Sequence, residues 1–149
     1  SLIGFASRTA TIVKWGNTND NTIKIGVYTD LGASLQPGIL GGFRVTSGDG
    51  AANQIGVHGL DLVLAPYFFD LVVDSFVGAT ARGMYLENVG FWTERVTAVR
   101  VQLFNNTISL EMYAPNSGSN SFGYHRWLDL RLNVNAGQIG IKSSGSAFV

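Results

Sequence analysis

The chain has 149 residues, 10 basic and 10 acidic side chains, a formal net charge of zero and no cysteine. That length fits one domain with a core large enough to stand without staples. The balanced charge removes the electrostatic case for nucleic acid or an anionic membrane surface, and the missing cysteines exclude disulfides, zinc–thiolate sites and thiol nucleophiles.

Charged residues make up 13% and apolar residues 46%, where an average domain carries roughly 25% charge. So little charge predicts either a surface partly covered by copies of the chain or by a larger parent protein, or a very regular, glycine-rich β-protein. Ser1-Leu2-Ile3-Gly4-Phe5 lacks the basic start and long apolar run of a signal peptide. No stretch approaches the roughly 20 apolar residues of a membrane span, so no membrane insertion is expected. Asn105-Asn106-Thr107 matches a glycosylation sequon, a pattern short enough to arise by chance.

In chain order, residues 9–15 (TATIVKW) are rich in β-branched side chains and predict a strand. Residues 16–21 form a polar corner, and 22–27 (TIKIGV) a second strand with Ile23, Ile25 and Val27 on one face. Residues 28–38 read as a loop containing Pro37. Residues 39–47 (ILGGFRVTS) restart the cycle with Phe43 and Val45 on one side, 48–53 form a corner, and 54–58 (QIGVH) a short strand. Residues 60–65 and 69–76 predict further strands, as does 83–87 (GMYLE) after a corner at 77–81. Residues 94–104 (ERVTAVRVQLF) alternate over a long run, with Val99, Val101 and Leu103 in register. The chain turns at Asn105-Asn106 and returns through 107–113 (TISLEMY). Residues 114–121 are the most loop-like, 122–127 are aromatic, 128–134 (LDLRLNV) alternate, and 138–142 (QIGIK) close the series after a corner at 135–137, leaving a flexible composition at 143–146. No window holds a 3.6-residue period over three turns, so no helix longer than about two turns is expected.

The second strands repeat: TIKIGV, QIGVHG, GMYLEN, TISLEM and QIGIKS recur every 24 to 32 residues, within the range of repeat architectures. Aligned, they bring Ile23/Ile25, Ile55/Val57, Met84/Leu86, Ile108/Leu110 and Ile139/Ile141 into register. One such unit cannot bury its inward residues alone, but stacked units make a continuous apolar column. The expected fold is therefore all-β, a parallel β-helix of stacked coils over residues 1–149 as a single domain. An antiparallel β-sandwich or jelly roll, whose hairpins alternate every 8–12 residues or so, stays open because the coil lengths vary.

Residues 82–95 (RGMYLENVGFWTER) resemble a stretch of phage and prophage tail-fibre, tailspike and appendage proteins of the pectate-lyase-like β-helix type. In that family a rung reading roughly G-hydrophobic-E-N-x-G-F-x-T-E leads into the next coil, and the likeness is best over residues 41–141. The resemblance implies a right-handed β-helix, commonly trimeric, at the host-facing end of a virion. With it come a structural, host-receptor-binding role and as partners a host surface polysaccharide, further copies of the chain in a homo-oligomer (trimer) and other virion tail proteins. The alternative function is a polysaccharide lyase or glycoside hydrolase fragment on the same fold. A bacterial β-rich adhesin at the cell surface shares every feature except the 82–95 motif. The abrupt start and serine-rich end suggest a piece excised from a longer fibre or spike.

For glycan cleavage the carboxylates to consider are Glu87, Glu94, Asp70 and Asp74. Glycosidases need two acids roughly 5 to 10 Å apart, and coils stack about 4.8 Å apart, so matching positions could supply a pair. Glu94 beside Arg95 reads more simply as a local ion pair or a corner bond. Neither His58 nor His125 has metal-ligand spacing or a nucleophile motif, so no metal and no cofactor are expected. Tyr124-His125-Arg126-Trp127 could stack on a sugar and direct hydrogen bonds to it, or pack on a neighbouring coil or subunit. Trp92 is a further candidate ligand contact, although Phe91-Trp92 reads first as a core aromatic step. Gly41-Gly42 and Gly48-Asp49-Gly50 lack the lysine and helix of a phosphate loop.

Overall fold

The computed structural model describes residues 2–3, 10–15, 21–26, 38–63, 65–115 and 122–145. Of the expected corner at 16–21 and loops at 28–38 and 114–121, all but residues 21, 38, 114 and 115 lie outside the described residues, and Asn21 and Ala114 belong to strands. The first coil carries β1 (Leu2–Ile3), β2 (Thr11–Lys14) and β3 (Asn21–Gly26). The second carries β4 (Ile39–Gly41), β5 (Arg44–Ser47) and β6 (Ile55–Leu60), and the third β7 (Tyr67–Phe69), β8 (Val72–Asp74) and β9 (Arg82–Glu87). The fourth adds a short strand in front: β10 (Thr93–Glu94), β11 (Thr97–Val99), β12 (Gln102–Phe104) and β13 (Ile108–Ala114). The fifth repeats that plan with β14 (Phe122–Gly123), β15 (Arg126–Leu128), β16 (Arg131–Asn133) and β17 (Ile139–Gly145).

Three five-stranded sheets result, ordered β1-β4-β7-β11-β15, β2-β5-β8-β12-β16 and β3-β6-β9-β13-β17, with β10 and β14 forming a small fourth. Every pairing among the described strands is parallel. The fold is a parallel β-solenoid, about four turns from the first strand of each sheet to its fifth, without a helix among the described residues. The antiparallel sandwich is thereby excluded for them.

The core is three stacked columns. Leu40, Phe68, Ala98 and Trp127 follow one another up the first sheet. Val45, Val73, Leu103 and Leu132 do so up the second. Val57, Met84, Leu110 and Ile141 do so up the third. In the middle coils these side chains are at most 2% exposed. Each coil covers the one below, so burial is a property of the stack rather than of any single coil.

Three expectations need correction. The long runs at 39–47, 69–76, 94–104 and 128–134 are each broken by a corner. Gly42, Asp70, Arg100 and Asp129 occupy it, all at positive φ (75°, 46°, 54° and 57°). This left-handed residue shifts the alternation by one, so Phe68 and Leu71 both face inward, as do Ala98 and Val101; Val99 leaves the core. Residues 61–63 form no strand. The long strands also pair two residues out of the expected register: Val57, not Ile55, stacks on Met84, and Leu110, not Ile108, on Met84 from the other side. Only Ile108 with Ile139 and Leu110 with Ile141 pair as expected. Ile55 and Ile108 each pair with Arg82 instead. A Cβ on Gly56 would lie 2.5 Å from Val73 Cγ1, and one on Gly83 2.6 Å from Asn106 Nδ2.

Buried polar groups at the corners are satisfied by the coil below. Asn106 donates its amide to Val73 O at 3.0 Å and accepts from Phe76 N at 3.1 Å. Thr93 Oγ1 donates to Asn88 Oδ1 at 2.5 Å and accepts from Leu62 N at 3.2 Å. Such links cost less than orphaned backbone groups and lock the coils in register.

Candidate functional site

A second left-handed corner runs up the outside of the stack. Ala65, Arg95 and Tyr124 occupy equivalent places in three successive coils, at φ of 38°, 55° and 56°. The backbone there is stitched from coil to coil: Glu94 N donates to Leu62 O (3.2 Å), Arg95 N to Gly123 O (3.0 Å), Thr97 N to Pro66 O (2.9 Å) and Arg126 N to Val96 O (2.8 Å). The backbone that carries these side chains is therefore held by the stack.

Two adjoining hollows lie along this corner. One, of about 310 Å³, is lined by Ala65, Arg95, Thr97, Tyr124 and Arg126. The other, of about 190 Å³, is lined by Val63, Ala65, Trp92, Glu94 and Arg95. They share Ala65 and Arg95 and form one shallow groove, whose larger part matches the lower end of ligand-pocket sizes, about 300 Å³. Tyr124 is 79% exposed, so its ring is available to a ligand face.

The electrostatics single this groove out. Arg44, Arg82, Arg100 and Arg131 each pair with a carboxylate: Asp74, Glu111, Asp70 and Asp129. Arg95 and Arg126 have no ion pair among the described residues, and both line the larger hollow. Glu94 lies against Gly123, where a Cβ would be 3.8 Å from its Oε1, and it is not paired with Arg95. The local ion pair expected between neighbours is thus absent.

The sequence candidates divide. Tyr124, Arg126, Trp92 and Glu94 come together in the groove. His125 turns towards the coil below, with Nε2 3.2 Å from Thr93 O and its ring edge-on to Phe122; burial holds its pKa below the ordinary value, against the Thr93 hydrogen bond. Trp127 packs against the core. Phe91 is 40% exposed and meets Trp92 edge-on at 6.3 Å. Neither belongs to the core cluster, so the core aromatic step is not realised. The sequence reading missed Arg95, Thr97, Ala65 and Val63 as lining residues. The 29-residue step shared by Arg95/Tyr124 and Thr97/Arg126 is the signal that could have found them.

Asp70, Asp74 and Glu87 are engaged elsewhere on the perimeter. Asp70 takes a two-pronged contact from Arg100, which holds its carboxyl below the usual range. Asp74 accepts from Arg44 Nε (2.6 Å) and Thr46 Oγ1 (2.5 Å). Glu87 lies 2.9 Å from His58 Nε2, and that hydrogen bond lowers its pKa despite partial burial. In register, Asp74 stacks between Thr46 and Phe104, Glu87 between Leu60 and Tyr113, and Glu94 on Gly123. None of these neighbours is a carboxylate, so stacking supplies no acid pair at those three positions.

The outer face of the third sheet carries a polar network that the sequence reading did not find. Glu111 is buried, which pushes its pKa up. Hydrogen bonds from Lys142, Arg82 and Ser144 outweigh burial and hold it below the usual carboxylate range. Arg82 also lies over the Tyr85 ring, 4.6 Å from its centroid. Burial, with Glu87 and Glu111 nearby, pushes the Tyr85 hydroxyl well above its ordinary pKa. Among the described residues no group of three His, Asp or Glu side chains could hold a metal ion. No protein-family model, curated protein or solved structure matches the chain.

Proposed function

We propose that this solenoid is a segment of a virion tail fibre or tailspike, and that its corner groove binds a host surface glycan. One observation carries the reading: two guanidinium groups with no ion pair among the described residues, an exposed tyrosine and a tryptophan line one shallow groove on a rigid stack. Aromatic faces suit the apolar face of a sugar, and arginine adds directional donors around it. A shallow groove of this size gives weak single contacts; a trimer would multiply them by avidity. The resemblance of residues 82–95 to tail-fibre and tailspike rungs supports the virion setting.

The test is retention of the purified chain by immobilised bacterial capsule or lipopolysaccharide, beside Tyr124→Ala and Trp92→Ala. Retention of the wild type with loss in both variants supports the assignment. Equal retention of all three places recognition elsewhere. The second reading, glycan cleavage, is favoured only by Glu94, the carboxylate that lines the groove; shortened glycan chains after incubation, abolished by Glu94→Gln, would promote it.

A further inference from the structure

We infer that the groove selects an acidic saccharide, with Arg95 and Arg126 as the contacts to its carboxylate groups; this rests on the glycan-binding reading above. The chain is electrically neutral overall, with 10 charges of each sign. In such a molecule each guanidinium has a carboxylate to find, and four of the six described ones find it. The two that do not are gathered in the same hollow. Glu94 lines the adjoining hollow instead, and does not line the one that holds Arg126.

The placement suits a chain of acidic sugars. Arg126 stands beside Thr97 in the ladder, two residues beyond Arg95 and one coil up. Coils repeat about every 4.8 Å, so the two cations are offered from successive layers of a rigid frame. Each guanidinium presents paired N–H groups that match the two oxygens of a carboxylate. Tyr124 occupies the same corner place as Arg95, one coil on, and is exposed enough to take a ring face. A neutral sugar would offer neither arginine the carboxylate that it lacks among the described residues, whereas an acidic one supplies it. Two cations are too few for the backbone-tracking contacts of nucleic acid binding.

The experiment is an array of uronate- and sialate-bearing saccharides, each printed beside its carboxyl-reduced, neutral counterpart. It is probed with the wild type, Arg95→Gln, Arg126→Gln and the double variant, each first confirmed as folded by its thermal transition. The expected result is acidic spots bound about tenfold better than their reduced twins, about a tenfold loss in each single variant, and no binding in the double variant. Acidic and reduced saccharides bound alike would overturn the inference while leaving glycan binding intact. An empty array would remove the glycan reading itself, and with it this inference. Undiminished binding by the double variant, or full competition by dextran sulfate or single-stranded oligothymidylate, would show a different or unspecific anion surface and overturn it too.

Discussion

Arg100 reaches down one coil to hold both carboxylate oxygens of Asp70, with Nε 2.5 Å from Oδ1 and Nη2 2.8 Å from Oδ2, and both residues sit at positive φ. The pair marks a corner where each coil turns from its first sheet to its second. Through this contact Asp70 raises the pKa of Arg100, and Arg100 lowers that of Asp70. Both side chains reach water, so solvent screens the pair and it adds little. The backbone angle matters more. Arg100→Asn should leave urea-unfolding stability nearly unchanged, because asparagine tolerates φ near 54°. Arg100→Val should lower it by about 1–2 kcal/mol. Equal effects would mean that the corner relaxes out of the left-handed region.

Leu110 and Ile141 are neighbours in one inward row, yet the first is 2% exposed and the second 53%. Leu110→Ala should therefore cost about 2–5 kcal/mol, as cavity-forming core truncations do. Ile141→Ala should cost about 1 kcal/mol or less, because no described coil covers it. Denaturant midpoints of the two variants decide the matter; similar losses would mean that the last coil is covered in solution.

Acid should unfold the chain through Glu87 and Glu111. Both have folded-state pKa values below the ordinary carboxylate range, Glu87 chiefly by the His58 hydrogen bond, Glu111 by those from Lys142, Arg82 and Ser144 acting against burial. A depressed folded pKa gives stability that is fully present above the unfolded value, about 4.3, and is lost as pH falls through the folded one. Thermal midpoints should ease slightly below about pH 6.5, where burial keeps His125 neutral while the unfolded chain protonates, and drop steeply below about pH 4, with a shallower drop in Glu111→Gln. Glu111→Ala should cost about 1–2 kcal/mol at neutral pH, because the Arg82 and Lys142 side chains left without it are 23% and 38% exposed and water takes up part of the loss. An unchanged acid limb in Glu111→Gln would remove this residue from the pH response.

Asp61 fills a nest of backbone donors in the coil above, accepting from Val89 N at 2.7 Å, Gly90 N at 3.2 Å and Phe91 N at 3.2 Å. That loop leads into Trp92, which lines the groove. Asp61→Ala should deprotect amides 89–91 in hydrogen exchange and weaken saccharide retention, with Asp61→Asn intermediate. Hydrogen bonds to a charged group of this kind contribute about 1.5–3 kcal/mol each. Unaltered exchange at 89–91 would show that the loop holds its shape without the cap.

Much of the solenoid was legible because stacking imposes a period that sequence can show: aliphatic residues alternate within strands, and the strands recur at coil length. The corners were less legible. Asparagine at Asn105 announces a turn, and it does sit at φ 47°. Asp70, Arg100 and Asp129 at the same kind of bend look like ordinary outward strand residues, so short strands merged into long ones. The two-residue register error has a related cause: a shift of two keeps every side chain on its face, so pattern alone could not see it. In the groove, Tyr124, Arg126 and Trp92 stood out by residue type, but Arg95 looked spent on Glu94. Only the coil geometry separates that pair and aligns Arg95 with Tyr124.

The most direct test of the groove as the recognition surface is an amide-shift titration of the isotope-labelled chain with the tightest-binding saccharide from the array. Changes centred on Arg95, Thr97, Tyr124 and Arg126, with Val45, Val73 and Leu103 in the core unmoved, are the predicted result. Changes confined to His58, Tyr85 and Tyr113 on the outer face of the third sheet would contradict it.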